Sequence, residues 1–366
     1  MPFPEPRPGV LEIPLYEGGK SRIKGARQVI KLSSNESPFG PSPMAVEAYR
    51  SLESAIHRYP SGRAEDLKLA IADVQGLDLD CIICGAGSDE IFLLLCRAYA
   101  GPGDEIIHSR HGFLMYNIYA QSVGATPVVV PETNLTVDVE GIINSVTDRT
   151  RLVFIANPNN PTGTYVTSDS LLELRKRLRE DIVLVIDSAY AEYMTQEDYD
   201  PGLLLANTTP NTVMTRTFSK IYGLAALRLG WAYGPKSIID ALARLRSPFN
   251  VAAPAQVAGA AAIRDQEFME MVKAHNAKWM SIMIQRLSTL GLPAGGTAGN
   301  FVLPCFPDHP GLTAADADSF LQSCGIIVRR VDNYGLPNHL RISIGLDDEM
   351  EAVLDTLGRF MESRGV

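Results

Sequence analysis

From about residue 65 onward, short apolar runs alternate with longer stretches in which apolar residues recur at helical spacing. The runs include CIICGAG, DEIIHS, TPVVVP, RLVFIANP and IVLVIDSAY. Such alternation predicts an α/β fold, with a mainly parallel sheet covered by helices. The sheet region closes near NTVMTRTFSK and LGWAYG, and one long helix is expected from about Ala255 to Leu290, linking two domains. Beyond it FVLPCF, GIIVRRV and LRISIG, followed by a polar helix, read as a smaller α/β unit. At the other end, proline-rich residues 1–10 read as an arm, and SSNESPFGPSPMAVEAYRSL as a loop followed by a helix. The expected division is 1–45, an arm with a small-domain segment; 46–260, a large domain; and 261–366, a small C-terminal domain.

Composition narrows the class of function. The 366 residues are 46% hydrophobic and 20% charged, the balance of a soluble protein with a large core. A formal charge of -9 argues against general attraction to nucleic acid or an anionic membrane and favours small-molecule chemistry. The cysteines at 81, 84, 96, 305 and 324 make an odd set without disulfide-framework spacing, which fits a reducing cytoplasm. Cys81 and Cys84 form a C-x-x-C with no second pair to complete a zinc site, and read as buried strand cysteines. The start of the chain lacks the apolar core of a signal peptide, and no apolar run approaches a membrane span. The six histidines include no H-E-x-x-H, so no metal is expected.

Four stretches carry candidate chemistry. GAGSDE at Gly85–Glu90 lies where a strand gives way to a helix N-terminus, a place suited to a phosphate or simply to a structural turn. NPNNPTG at Asn157–Gly163 follows the strand RLVFIA, at the edge where open α/β sheets bind ligands, although Asn-Pro is also ordinary loop punctuation. IVLVIDSAYAEY ends an apolar strand on Asp187, with Tyr190 three residues on; that carboxylate either meets a cationic or hydrogen-bonding partner or caps the next turn. TRTFSKIYGLAALRLG sets Lys220 and Arg228 in an apolar stretch, where a lysine either snorkels over apolar surface or is held for chemistry.

In this order and spacing the four stretches resemble the fold-type I pyridoxal phosphate (PLP) aminotransferases over nearly the whole chain. The resemblance implies a large domain with a mainly parallel seven-stranded sheet and a smaller α/β domain. It makes Lys220 the catalytic lysine, whose amine forms an imine with the cofactor aldehyde and is freed by the incoming amino substrate to act as a base. Asp187 would pair with the pyridine nitrogen, Tyr190 and Asn160 would hydrogen-bond the ring's O3′ oxygen, and Phe113 would stack on the ring. The cofactor phosphate would receive the Gly87 and Ser88 backbone N–H groups, the Ser219 hydroxyl and the Arg228 guanidinium.

A narrower resemblance, to the histidinol-phosphate aminotransferases, rests on KLSSNESPFGPSP, HRYPSG and GIIVRRVDNYGLPNHLRISIG. It matches Tyr59 to a tyrosine that reaches the neighbouring subunit's cofactor phosphate, and so implies a homodimer with shared sites. It matches Arg341 and Arg329 to the substrate's anionic group, and Tyr16 and Asn35 to arm residues near the substrate. The implied reaction is transfer of an amino group between L-histidinol phosphate and 2-oxoglutarate, giving imidazole-acetol phosphate and L-glutamate. Ser37, Phe113, Arg330 and Asn333 depart from the usual pattern. Aromatic amino-acid aminotransferases and decarboxylases of a phosphorylated amino acid share the framework and stand as alternatives.

Overall fold

The computed structural model describes residues 4–16, 18–25, 29–296 and 298–364; the first three residues of the expected arm lie outside them. Seven strands build the main sheet: β1 Ile82–Gly85, β2 Glu105–Ser109, β3 Thr126–Val130, β4 Thr150–Ala156, β5 Val183–Asp187, β6 Thr212–Thr217 and β7 Gly230–Tyr233. Their order is β1-β7-β6-β5-β4-β2-β3. Strands β2 to β6 run parallel. β5 and β6 are buried at every position, as central strands covered on both faces must be. Phe154 and Val185 pack on one face with Phe92, Leu95 and Tyr116. Val153, Ile155 and Ile186 pack on the other with Ile142 and Leu174.

Strand β7 pairs antiparallel with both β6 and β1. Two reversals cancel, so β1 runs in the sense of the parallel set. The turn after β1 therefore opens on the same edge as the loops after β2, β4, β5 and β6. That edge is where an open α/β sheet offers a crevice to ligands.

The C-terminal part forms its own layer, with β8 Phe301–Pro304, β9 Arg329–Arg330 and β10 Leu340–Ser343 in the antiparallel order β9-β10-β8 and Ala294–Gly295 beyond β8. Near the N-terminus, Ile30–Lys31 pairs in parallel with Ile326–Ile327, which draws the N-terminal segment onto this unit. The final helix, Asp347–Glu362, is amphipathic rather than polar throughout. It buries Val353, Leu357, Phe360 and Met361 against Met283, Phe306 and Ile342.

Two local expectations are corrected. The single helix expected from Ala255 to Leu290 is two, Ala253–Arg264 and Gln266–Thr289, because Asp265 ends the first and its carboxylate caps the second by accepting from the Phe268 N–H. Cys81 is not on a strand; it ends the 3-10 turn Leu79–Cys81 and is partly exposed, whereas Cys84 is buried in β1. The expected change of domain at 260/261 falls inside the first of the two helices, whose Ala258, Ala262 and Ile263 pack in the large unit's core. The second helix is shared. Val272 belongs to that core, and Trp279, Met283 and Leu287 belong to the small unit's core. Among the described residues no helix is long and apolar enough to cross a membrane.

One glycine ties the N-terminal segment to the loop after β6. Gly223 has φ +67°, and a Cβ there would lie 2.2 Å from the Gly40 carbonyl oxygen, a backbone atom that no rotamer change can move. A side chain would add a left-handed penalty of about 1–2 kcal/mol to that clash. Gly223→Ala is accordingly expected to lower the thermal midpoint by several degrees. Gly101→Ala, at a position with nothing within 4 Å, should leave it nearly unchanged in the same melting experiment.

Candidate active site

Strand ends β1, β4, β5 and β6 meet the small unit and the N-terminal segment around a cavity of about 210 Å³. Lys220 follows β6 by three residues and lines this cavity together with Asp187, Tyr190, Asn160, Phe113, Ser88, Ser219, Arg228, Tyr16, Arg329 and Arg341. Its Nζ donates to the Ser34 carbonyl oxygen at 3.3 Å and stands 5.7 Å from the centroid of the Tyr190 ring. Burial, and then the charge of Arg341, pull the Lys220 ammonium down to about 8. A substantial neutral fraction is therefore present near physiological pH, as a nucleophilic amine requires.

Asp187 is the last residue of β5 and only 6% exposed. One carboxylate oxygen accepts from the Tyr116 hydroxyl at 2.6 Å, and the other from Thr215, its register partner on β6, at 3.4 Å. Burial raises its carboxyl to about 6 against the lowering effect of these donors. A cation placed beside Asp187 would hold it ionised and be held protonated in return.

The turn after β1 has the features of an anion cradle. Gly87 is the N-cap of the helix Ser88–Tyr99 and brings no side chain to the helix's free N–H groups. A Cβ on Gly87 would sit 2.7 Å from Arg228 Nη2, so its absence lets the guanidinium lie across the turn. Arg228 adopts the left-handed conformation, φ 51°. Its Nη1 donates to Ser219 Oγ at 3.3 Å and its Nη2 to Asp89 Oδ2 at 3.0 Å. Asp89 Oδ1 is buried with no hydrogen-bond partner among the described residues, and burial pushes this carboxyl up. An anionic group received here would take the helix N–H donors and share the Arg228 guanidinium with Asp89. The residues present fit a phosphate-bearing cofactor.

Opposite lies a second pair of cations. Arg329 on β9 and Arg341 on β10 are direct cross-strand partners. Both guanidinium groups line the cavity, where their planar donor forks suit an anionic group. Arg341 is buried; its Nη1 donates to Asn160 Oδ1 at 2.6 Å and its Nη2 to the Ser33 carbonyl at 2.7 Å, while its Nε has no partner among the described residues.

Three of the expected residues do not line the cavity. Gly87 underlies it through the helix start. Asn35 is buried behind Tyr190, whose hydroxyl oxygen it reaches at 2.8 Å. Tyr59 is 82% exposed on another face, stacked on Phe249 at 4.5 Å. Sequence reasoning did not single out Tyr116, which holds Asp187, nor Ser33, Ser34, Asp89 and Tyr334. Ser33, Ser34, Asp89 and Tyr334 lie inside the stretches KLSSNESPFGPSP, GAGSDE and GIIVRRVDNYGLPNHLRISIG, and Tyr116 lies three residues after Phe113 in HGFLMY.

Comparison with known proteins gives the family. The model of the aminotransferase class I and II family matches residues 27–357. A histidinol-phosphate aminotransferase of Rhodospirillum rubrum is 52% identical over 99% of this chain and 98% of its own length, and one of Paramagnetospirillum magneticum is 50% identical over 99% of each. The crystal structure of histidinol-phosphate aminotransferase from Sinorhizobium meliloti in complex with pyridoxal-5'-phosphate superposes with a TM-score of 0.90 at 27% identity, over 100% of this chain and 99% of that one. With its cationic cradle and buried lysine set on the edge of this sheet, the chain belongs to the class I and II aminotransferases, as a pyridoxal phosphate-dependent enzyme akin to the histidinol-phosphate aminotransferases.

Proposed function

We propose that the enzyme transfers the amino group of L-histidinol phosphate to 2-oxoglutarate, forming imidazole-acetol phosphate and L-glutamate. The observation that carries this reading is the opposed pair Arg329 and Arg341, lining one cavity with Lys220. Two guanidinium groups suit the double charge of a phosphate monoester and can also hold the carboxylate of an oxo acid or glutamate. The half-identical relatives that carry the histidinol-phosphate name support the same donor.

When bound, pyridoxal phosphate supplies an aldehyde for amines and a protonated ring that takes up electrons released at the substrate Cα. Gly87, Ser88, Ser219 and Arg228 would hold its phosphate, Asp187 its ring nitrogen, Tyr190 and Asn160 its O3′ oxygen, and Phe113 one ring face. Tyr116 orients the Asp187 carboxylate from below. Lys220 Nζ, near neutrality in its proton equilibrium, accepts and returns a proton at the cavity floor. Arg329 and Arg341 orient the substrate by its anionic end, with Tyr16 at the cavity's rim. The free cysteines fit action in the cytoplasm.

We further infer a homodimer. Tyr59, Ile56 and Phe249 are exposed apolar residues on one face, and in this reading Tyr59 crosses to the partner's cofactor phosphate. Sedimentation should give a dimer, and Tyr59→Ala should retain the cofactor less well while still forming its covalent link through Lys220.

The donor assignment is tested by a panel of amino donors with 2-oxoglutarate as common acceptor. Histidinol phosphate should be turned over best. Arg329→Ala should raise its KM about tenfold or more, the loss of one charge-assisted bond, and raise that of phenylalanine by less. Equal losses, good turnover of phenylalanine alone, or release of carbon dioxide would each reject it. The lysine assignment is tested by mixing apoprotein with PLP and following absorbance. Because the neutral amine reacts and the folded value lies near 8, the capture rate should rise about fivefold between pH 7 and pH 8. Lys220→Ala should show neither capture nor transamination.

A further inference from the structure

Asn35 is a left-handed residue, φ 54°, only 1% exposed and off the cavity, yet its hydrogen bonds run from the small unit to the cavity wall. Its backbone N–H donates to Ser343 Oγ at 2.9 Å. That oxygen's own proton then goes to Asn35 Oδ1 at 3.0 Å. With Oδ1 engaged as an acceptor, the amide must present its Nδ2 to Tyr190, donating to the hydroxyl oxygen at 2.8 Å. Asn300 Nδ2 fixes the segment by donating to the Asn35 carbonyl at 3.1 Å. Tyr190 is thus an acceptor toward Asn35, and its single proton is left for the cavity it lines.

We propose that Asn35 is a positioning residue that orients the Tyr190 hydroxyl as a donor into the cavity, and thereby tunes the proton affinity of the bound cofactor from strand β10. The inference rests on the reading of the cavity as a PLP site and is independent of the amino donor. A hydrogen bond received by the phenol oxygen strengthens its O–H as a donor. Ser343 begins the chain two residues from Arg341 on β10, so the strand that would bind the substrate's anion also sets the proton direction at Tyr190. The other charged groups facing Tyr190 are Lys220, Arg341 and Asp187; Asn35 differs from them in being neutral and directional.

The test is a pH titration of the purified holoenzyme's visible absorbance without substrate, with cofactor dissociation measured alongside. Asn35→Asp keeps the shape and tolerates the left-handed backbone, but its carboxylate accepts the Tyr190 proton and turns the hydroxyl away from the cavity. The absorbance transition should move to higher pH by about one unit, a tenfold change in the proton equilibrium, and Ser343→Ala should move it the same way by less. In a Tyr190→Phe background the effect of Asn35→Asp should shrink to the direct influence of its charge, so that the cycle isolates the link. An equal shift with and without the hydroxyl, or none with it, overturns the proposal. If Tyr190→Phe alone leaves the transition unmoved, the assignment of Tyr190 to the cofactor fails, and the role of Asn35 with it.

Discussion

Lys220 and Arg341 share one cavity because the carbonyl oxygens of two consecutive residues, Ser34 and Ser33, accept from them. Two cations drawn out of water repel each other and need acceptors. Carbonyl dipoles supply them without neutralising the charge. The segment does the same on either side: the Ser343 N–H donates to the Leu32 carbonyl, and Asn35, which follows Ser34, engages Tyr190 and Ser343. A stretch of four residues thus fixes a lysine from the large unit and an arginine from the small unit in one frame. Its own position depends on the parallel pairing of Ile30–Lys31 with Ile326–Ile327 and on the close approach of Gly223 to Gly40.

The main sheet solves a different problem, which is to bring an anion cradle and a buried carboxylate to the same edge. Asp187 can end a fully buried strand only because Tyr116 and Thr215 donate to it. The cradle comes from β1, four places from β4 in the sheet, and reaches the edge because β7 reverses between β6 and β1. Had β7 run parallel with β1 turned over, the helix start at Ser88 would open on the far edge.

Features written in consecutive residues were legible in the sequence. The strand-end aspartate, the Ser-Lys pair and the glycine before a helix each announce a backbone geometry within a few positions, and the alternation of apolar runs announced the sheet. What escaped depended on tertiary partners. Tyr116 reads as one more aromatic on a helix until β5 delivers a carboxylate to its hydroxyl. Asn35 reads as a residue near the substrate, and only its contacts with Tyr190 and Ser343 set it behind the wall. The break at Asp265 lacks glycine or proline, so the apolar pattern runs through it. The capping carboxylate followed by Glu267 was the one local mark of a new helix start.

Charge balance connects binding with chemistry. Among the causes holding Lys220 down to about 8, Arg341 comes second only to burial, and Arg228 acts in the same direction. An anion on Arg341 screens one of these cations and a phosphate at Arg228 screens the other. Each event therefore raises the proton affinity of the lysine. An anion bound at either arginine would therefore make Lys220 Nζ the stronger base. Lys220, Arg228 and Arg341 thus share one cavity as three like charges, and an anion received by either arginine lowers their mutual repulsion.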